Sequence, residues 1–572
     1  MKRWLIREEI PSEIDENLTS YPKTLRNLLF SKGIKTKESA EIFLKPNYER
    51  DLLNPLSLLN MEKACERIEK GIARNEKIAI YADYDADGIP GSVVLSDFFK
   101  YIGFGNYRVY IPHRYKEGYS LNNSAISSLK SEGVSLIITI DCGITDVKEV
   151  KHANSLGIDV IITDHHLPGE TLPSAYTIVN PNHGGDTYEN PNICGGGLAF
   201  KLVQALIARG NVEVKLLGWE KWLLDVAGIS TISDMVPLRG ENRALAYFGI
   251  SVLKQTRRQG LLKLFAKKRI LPLHLSEEDV GFVIAPHINA ASRMSTPELA
   301  FRLLSTEDAK EADELVSHLS QKNEERKHVV EGMLSQIEEI LSEIKVKEVI
   351  SVGNLAWHPG LLGLAANRAV EKYRRPVCLW GTGEDGVIRG SCRSDGTVNI
   401  VELMGNIESS YFLDYGGHEY SGGFSVTKEN ISDLEKNFLL AYEESSTKER
   451  TDSPELMIDK VLSKEDINWG MYEVISQLAP FGVGNEKPLF LLKNLKILST
   501  SFFGKTKNHI KILFEGAYKK VLPGISFFVD LSLYSHVKAD SYFDVVCNLE
   551  KEVFYGRPSL RLRIIDMKES VL

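Results

Sequence analysis

Along the chain the spacing of apolar positions changes character several times. Up to about residue 75 they recur three and four apart, as in Ser39-Ala40-Glu41-Ile42-Phe43-Leu44 and from Leu59 to Ala73, which predicts a helical N-terminal segment over 1–75. Short β-branched runs follow, Lys77–Ala82, Ser135–Ile140 and Asp159–Thr163, separated by helical stretches. Such runs predict buried parallel strands of an α/β domain over 76–305. From Glu307 to Glu343 amphipathic spacing continues without Pro and with Gly332 as its one Gly, so a connecting helix is predicted across 306–345. Strand-like Glu348–Val352 and Pro376–Trp380 flank a helix from about Gly360 to Tyr373, giving a second α/β domain over 346–445. The polar run Glu443–Pro454 has linker composition, and alternating strands from Leu456 onward predict a β-barrel over 455–572. The expected fold class is α/β: two α/β lobes joined by a long helix, plus a C-terminal β-barrel.

Composition narrows this picture. At 572 residues the chain exceeds what one core can organise, and 43% hydrophobic with 26% charged residues is ordinary globular usage. No stretch approaches the ~18 apolar residues that a membrane span requires. The start of the chain turns acidic at Glu8-Glu9 before an apolar signal core can form, so a soluble, cytoplasmic protein without membrane attachment is expected. Six scattered cysteines with no C-x-x-C pair read as reduced thiols. A net charge of -8 excludes a basic coat over the whole surface, so any nucleic-acid contact must be local.

Chemistry concentrates at the ends of the predicted strands. The first ends in Asp83-Tyr84-Asp85-Ala86-Asp87-Gly88, three carboxylates in five residues, followed by a helical pattern from Val93 to Tyr101. Carboxylates are hard ligands suited to Mg2+ or Mn2+. A calcium loop of the EF-hand type needs Glu at its twelfth position, which here is Val94. The second strand ends in Asp141-Cys142-Gly143 and the third in Asp164-His165-His166. Open α/β sheets place ligand sites at that edge. Asp234 lies within the apolar run Ile229–Leu238 and is expected to be buried, where a dication would keep it ionised. Taken singly, each acid could equally cap a helix or turn and each His could be a core residue. Together, five or so carboxylates with one or two imidazoles match two divalent ions about 4 Å apart, an arrangement suited to phosphoester hydrolysis.

DYDADG, DCG, DHH and a later SDMVPL, in this order and spacing, resemble the four motifs of the DHH phosphoesterases. The resemblance extends along nearly the whole chain, through IPHRYKEGYSLN, CGGGLAFKL, APHINAASRM, WHPGLLGLAANR, GGHEYSGG and PFGVGNEKPLF, to the branch of that family that degrades single-stranded DNA. It implies a DHH lobe, a DHHA1 lobe signed by GGHEYSGG, and an OB-fold barrel. The implied activity is 5′→3′ hydrolysis of single-stranded DNA to 5′-mononucleotides with two Mn2+ or Mg2+ ions, in recombination and repair. Metal ligation is implied for Asp83, Asp85, Asp87, Asp141, His165 and Asp234, with Asp83 either ligating or orienting its neighbours. His166 is implied near the scissile phosphate with Asp164 beside it. Arg114, Arg293, Ser391, Arg393, Gly416, Gly417 and His418 fall where the family grips terminal and neighbouring phosphates.

Departures from the family pattern fall in the grip: His287 and Ser292 stand where Arg and Gly are expected, and Tyr420-Ser421 replaces a small-residue pair. On the barrel, Phe502 and Phe503 with Lys505, Lys507, His509 and Lys511 interleave aromatic and basic groups, as base stacking with backbone neutralisation requires; an ordinary strand with a solvated lysine face has the same pattern. Lys254, Arg257, Arg258, Lys267, Lys268 and Arg269 read as a second basic patch. Expected partners are single-stranded DNA, a single-strand-binding protein and a helicase, with the chain itself a monomer. Two other readings stay open: a phosphodiesterase for short oligonucleotides or cyclic dinucleotides, and a catalytically silent DNA-binding scaffold.

Overall fold

The computed structural model describes residues 2–343, 346–383, 385–445, 455–504, 507–529, 534, 536–554 and 557–570. Lys505 and most of the predicted linker, 446–454, lie outside them. The chain divides into two compact units. One comprises Asn54–Val236 and Phe248–Arg450, and the other Met1–Leu53, Pro237–Tyr247 and Thr451–Leu572.

The first of these units holds both α/β lobes. Five parallel strands, β1 (Lys77–Ala82), β2 (Tyr107–Tyr110), β3 (Val134–Ile140), β4 (Asp159–Thr163) and β5 (Thr177–Val179), line up in the order β2-β1-β3-β4-β5. The central three are near-continuous apolar runs because helices cover both faces. Ile78, Ile80, Ile138, Val160 and Ile162 are fully buried among them. The register is what places the site. Ala82 pairs with Ile140 and Ile140 with Thr163, so the next residues, Asp83, Asp141 and Asp164, emerge side by side. Their backbone N–H groups continue the ladder onto the carbonyls of Ile140, Thr163 and Val179.

The 35-residue helix Ala309–Glu343, about 52 Å long at 1.5 Å per residue, leads to the second lobe. Its buried positions Val316, Leu319, Asn323, Val330, Met333 and Ile337 keep helical spacing, which explains why one element persists so long. The second lobe is a five-stranded mixed sheet of β6 (Ile350–Gly353), β7 (Val377–Thr382), β8 (Ile388–Arg393), β9 (Asp414–His418) and β10 (Ser421–Val426), ordered β9-β10-β8-β7-β6. β6 and β7 are parallel and the rest antiparallel. The two lobes meet where the Tyr115 hydroxyl donates to the Arg293 carbonyl (2.9 Å) and Arg293 Nη1 donates to the Gly360 carbonyl (2.8 Å). Gly360 permits this approach, since a Cβ there would sit 1.9 Å from the Tyr115 oxygen.

In the other unit, strands Phe490–Phe503, His509–Glu515, Val521–Ser526, Arg557–Glu569 and Tyr542–Phe554 pair in turn, and the last returns to the first, closing a five-stranded barrel of the OB type. Phe490, Ile497, Ile512, Phe514, Phe543 and Val545 fill it. The N-terminal residues are not wholly helical. Arg3–Ile6 form a strand paired in parallel with Glu455–Ile458, and Leu25, Leu28 and Leu29 of the helix Lys23–Ser31 join the barrel's own core. Local periodicity carries no signal for a strand whose partner is some 450 residues away. No described helix is long and apolar enough to cross a membrane.

Candidate metal centre and adjoining cleft

Acid by acid, backbone geometry aims the cluster. After β1 the chain turns over Asp85, whose Oδ1 accepts the N–H groups of Asp87 (2.7 Å) and Gly88 (3.1 Å). Gly88 is required, because a Cβ there would lie 2.5 Å from the Asp83 carbonyl oxygen. Asp87 then accepts the N–H groups of Gly195 and Gly196 (2.7 Å each) and the Ser230 hydroxyl. Those amides open the helix Gly195–Ala208, so its positive end holds the carboxylate. After β3, Asp141 adopts a left-handed conformation (φ 62°), uncommon for a residue with a side chain. Gly195 packs against it so closely that a Cβ would come within 2.4 Å of the Asp141 Cβ.

Three overlapping groups result: Asp83, Asp85 and Asp141; Asp141, His165 and His166; Asp87, His165 and Asp234. In each, the donor atoms lie within 4.8 Å of one another. His165 Nε2 stands 3.1 Å from Asp141, 3.5 Å from Asp87 and 3.7 Å from Asp234. Asp141 and His165 are each shared by two groups, the pattern expected of ligands between two ions.

The sequence-based expectations meet this geometry unevenly. Asp234 is partly rather than fully buried: it caps the C-terminal end of the helix Leu224–Ser233 with 26% of its side chain exposed. The run around it is apolar because the helix before it is buried. A carboxylate at the negative end of a helix dipole is disfavoured without a cation beside it. Asp164 is saturated by the protein. Its Oδ1 accepts the N–H groups of His165 (2.8 Å) and His166 (3.1 Å) and the His166 Nδ1–H (2.7 Å), while Oδ2 accepts the Ile144 N–H (3.0 Å). It orients the His166 imidazole and pins the backbone of both histidines. Asp83 Oδ1, by contrast, is buried with no hydrogen-bond partner.

Electrostatics describe a site short of positive charge. Burial, then the like charges of its neighbours, push Asp83, Asp85, Asp141 and Asp234 above the usual carboxylate range. Burial lowers His165, keeping the ring neutral as a metal ligand must be. Burial opposes the charge on His166 as well, but its hydrogen bond to Asp164 prevails and lifts it to about 9. A buried orphan oxygen, crowded carboxylates and one neutral imidazole fit a pair of hard dications.

Beside the acids lies a cleft of about 670 Å3 between the lobes. Arg114, Arg293, Ser391, Arg393, Gly416, Gly417 and His418 all line it. Arg393 Nη1 donates to Ser391 Oγ (2.8 Å), Arg114 stacks over Tyr84 at 4.8 Å, and the His418 ring lies parallel to His166 at 6.3 Å. The glycines of GGHEYSGG thin the hairpin: Gly416 pairs with Gly423 and Gly417 with Gly422. A Cβ at Gly417 would meet the Ser421 carbonyl at 2.3 Å.

Other expected residues fall elsewhere. Phe502 and Phe503 are exposed on the barrel, where Phe503, His509 and Phe527 form edge-on contacts and Arg563 stacks over Phe527 at 4.1 Å. Arg258 is not part of a surface patch, since it is paired with Asp225 (2.8 Å) and Asp97 (2.7 Å), and Arg257 stacks on Trp222 at 4.2 Å. His287 is buried, its Nδ1–H donating to the Val283 carbonyl (2.6 Å). The sequence reading missed Asn289, which accepts the Ala86 N–H (2.9 Å), and Ser230, one helical turn before Asp234. Only Ser230 carries a local signal, its i, i+4 spacing from an acid.

Comparison with known proteins agrees along the chain. Residues 77–227 match the DHH family N-terminal domain, 343–442 the DHHA1 domain and 458–566 the RecJ OB domain. The single-stranded-DNA-specific exonuclease RecJ of Bacillus subtilis is 36% identical over 89% of this chain, which spans 64% of that protein's length. The Haemophilus influenzae protein of the same name is 30% identical with both chains covered in full. Among solved structures, RecJ of Thermus thermophilus in complex with Mn2+ superposes over 100% of this chain and 80% of that one (TM-score 0.82, 26% identity). An exonuclease RecJ bound to manganese covers 68% of this chain and 95% of its own (TM-score 0.59, 32% identity). The chain belongs to the RecJ family of DHH phosphoesterases.

Proposed function

We propose that the protein is a metal-dependent exonuclease that hydrolyses single-stranded DNA from the 5′ end to 5′-mononucleotides. One observation carries this reading. The register of β1, β3 and β4 sets acids and imidazoles into groups with shared ligands, directly beside a cleft lined by four arginines, Arg114, Arg293, Arg389 and Arg393. Asp83, Asp85, Asp87, Asp141, His165 and Asp234 would hold two Mn2+ or Mg2+ ions. Bound there, the ions supply a low-pKa water and offset the charge that develops on phosphorus.

The chain's own groups do the rest. Asp87, fixed by a helix N-terminus, and Asp141, held by Gly195, keep the donors rigid before substrate arrives. Asp164 holds the His166 Nδ1–H as a donor, leaving the Nε2 edge for the scissile phosphate or the departing 3′ oxygen. Arg114, Arg293, Ser391 and Arg393 grip the terminal 5′ phosphate, and guanidinium forks suit its geometry. A grip on the terminus beside the hydrolytic centre enforces end-dependent cutting. Exposed Phe502, Phe503 and the cations around them on the barrel offer stacking for unpaired bases.

The protein acts in recombination and repair, as a cytoplasmic monomer beside a single-strand-binding protein and a helicase. The reading is tested with strands labelled at either end, in Mn2+. Mononucleotides released from the 5′ end of a single strand, with a duplex spared, are expected. Failure to digest a 5′-phosphorylated single strand, or faster turnover of dinucleotides than of long strands, would refute it.

A further inference from the structure

Register rules one face of the second lobe's sheet into rows. Side chains two apart on a strand share a face, and Ile388, Cys392, Phe424 and Val426 turn into the lobe's core. The alternate positions of β8, β10 and β9 face the cleft, in three rows about 7 Å apart. The first row is Arg393, Ser421 and His418, whose ring lies parallel to His166 at 6.3 Å, so this row borders the metal centre. The second is Ser391 with Gly423 and Gly416, a floor almost without side chains. The third is Arg389, Ser425 and Asp414, about 13 Å from the first along the strands.

Charge reverses across these rows. Among the described residues Arg393 has no carboxylate partner; its Nη1 donates to Ser391 Oγ and to the Cys392 carbonyl (2.8 Å each). Arg389 is neutralised, because its Nη1 and Nη2 donate to the two oxygens of Asp385 (2.8 and 2.6 Å). Asp414, across Ser425 from it, is exposed and lines the cleft, and its carboxylate forms no ion pair or hydrogen bond with a described group. The first row is therefore cationic, while the third carries one net negative charge.

We infer that Asp414 is a specificity-determining residue that makes the cleft disfavour a strand continuing 5′ past the gripped phosphate. The inference deepens the exonuclease reading above and rests on it. In that reading the scissile phosphate lies at the metals, on the first row's side, and the terminal phosphate sits on Arg393 and Ser391. The line from one to the other runs on to the third row. A strand interior brings its next phosphate there, whereas a true 5′ end places nothing there. Two like charges about 7 Å apart, in a cleft of dielectric between those of water and protein, repel enough for a roughly fivefold to tenfold penalty. Grip and stop divide the work: the arginine attracts any phosphate, and the carboxylate selects the last one in the chain.

Three single strands of one sequence test this, with the whole protein and Mn2+. One ends in a 5′-monophosphate, one has that phosphate esterified with a neutral propyl group, and one has it joined through propanediol to a second phosphate. The propyl end measures bulk, and the doubly phosphorylated end adds charge. At low salt the wild type is expected to show kcat/KM at least about fivefold lower on the charged extension than on the neutral one. That gap should close as ionic strength rises to about 0.5 M, where the Debye length falls to a few ångströms. Asp414→Asn should shrink the gap to within about twofold, and Asp414→Lys should invert it. Each gap compares two ends within one variant, so a general loss of stability cancels from it. No gap in the wild type, a gap that survives in both variants, or one indifferent to salt would overturn the inference while the exonuclease reading stands. Failure on the monophosphate strand would overturn the reading beneath it.

Discussion

The acid cluster and the arginine cleft adjoin each other and are built on opposite principles of the same kind. Each crowds like charges until burial and repulsion shift them: the carboxylates of Asp83, Asp85, Asp141 and Asp234 rise, and Arg293 falls to about 9. They differ in how they are held. Among the acids, all but Asp234, which ends a helix, follow strand ends and are locked by backbone amides and close-packed glycines. The arginines come from a loop, helices and the second lobe, and are steered by an aromatic ring, carbonyls and one hydroxyl. A rigid pole suits ions whose positions must be fixed to fractions of an ångström, whereas an adaptable pole suits a phosphate that arrives and leaves.

The comparison can be broken at the acid pole first. Asp141→Ala removes a ligand shared by two groups, and turnover should fall by about a thousandfold or more, about 4 kcal/mol of transition-state stabilisation, with strand binding partly kept. Near-normal hydrolysis by this variant would remove the basis for the metal centre.

A buried titratable group outside both poles sharpens the contrast. His287 is 2% exposed, faces Lys268, Lys327 and Glu324, and is pushed down to about 4 by burial. The fold holds it neutral, so it costs nothing above its unfolded pKa near 6.5. As pH falls from there towards 4, the unfolded chain binds a proton that the folded one resists, and stability drops by on the order of 3 kcal/mol. His287→Asn keeps a donor for the Val283 carbonyl without titrating, so its melting temperature should fall less between pH 7 and pH 4.5. Parallel pH profiles for the two proteins would refute this account.

Rigidity itself is tested by Gly195→Ala, which drives a methyl group into Asp141. Turnover should fall about a hundredfold with the fold retained, the effect expected of a 1 Å displacement of catalytic geometry. At the arginine pole Arg393→Ala should cost about 2 kcal/mol, a roughly thirtyfold loss in kcat/KM carried by KM, and should erase the preference for a phosphorylated 5′ end. Steady-state kinetics on phosphorylated and hydroxyl-ended strands measure both variants. Equal sensitivity of kcat at the two poles would dissolve the distinction drawn between them.

The acid pole was legible in the sequence because each strand announces itself by a local apolar run and the acids follow immediately. Register then does the convergence, and β-branched runs of matched length leave it little freedom. Asp234 was found by its chemistry and misjudged in its burial, because the apolar run belongs to the helix it terminates. The arginine pole was visible through the family resemblance and not through physics, since an isolated Arg in a sequence reads as a surface cation. Asn289 and the pairing of Arg3–Ile6 with Glu455–Ile458 were invisible for one reason. Their roles exist only through partners far along the chain.

That last pairing affects how the protein is made. Residues 1–53 pair with the strand Glu455–Ile458 and share a core with a barrel whose first strand begins at Phe490. At about 5–20 residues per second, Leu25, Leu28 and Leu29 emerge from the ribosome about 25 to 90 s before the strands they pack against exist. The unit of both α/β lobes can fold on schedule while Leu25, Leu28 and Leu29 wait as an oily stripe uncovered, a ready client for a chaperone.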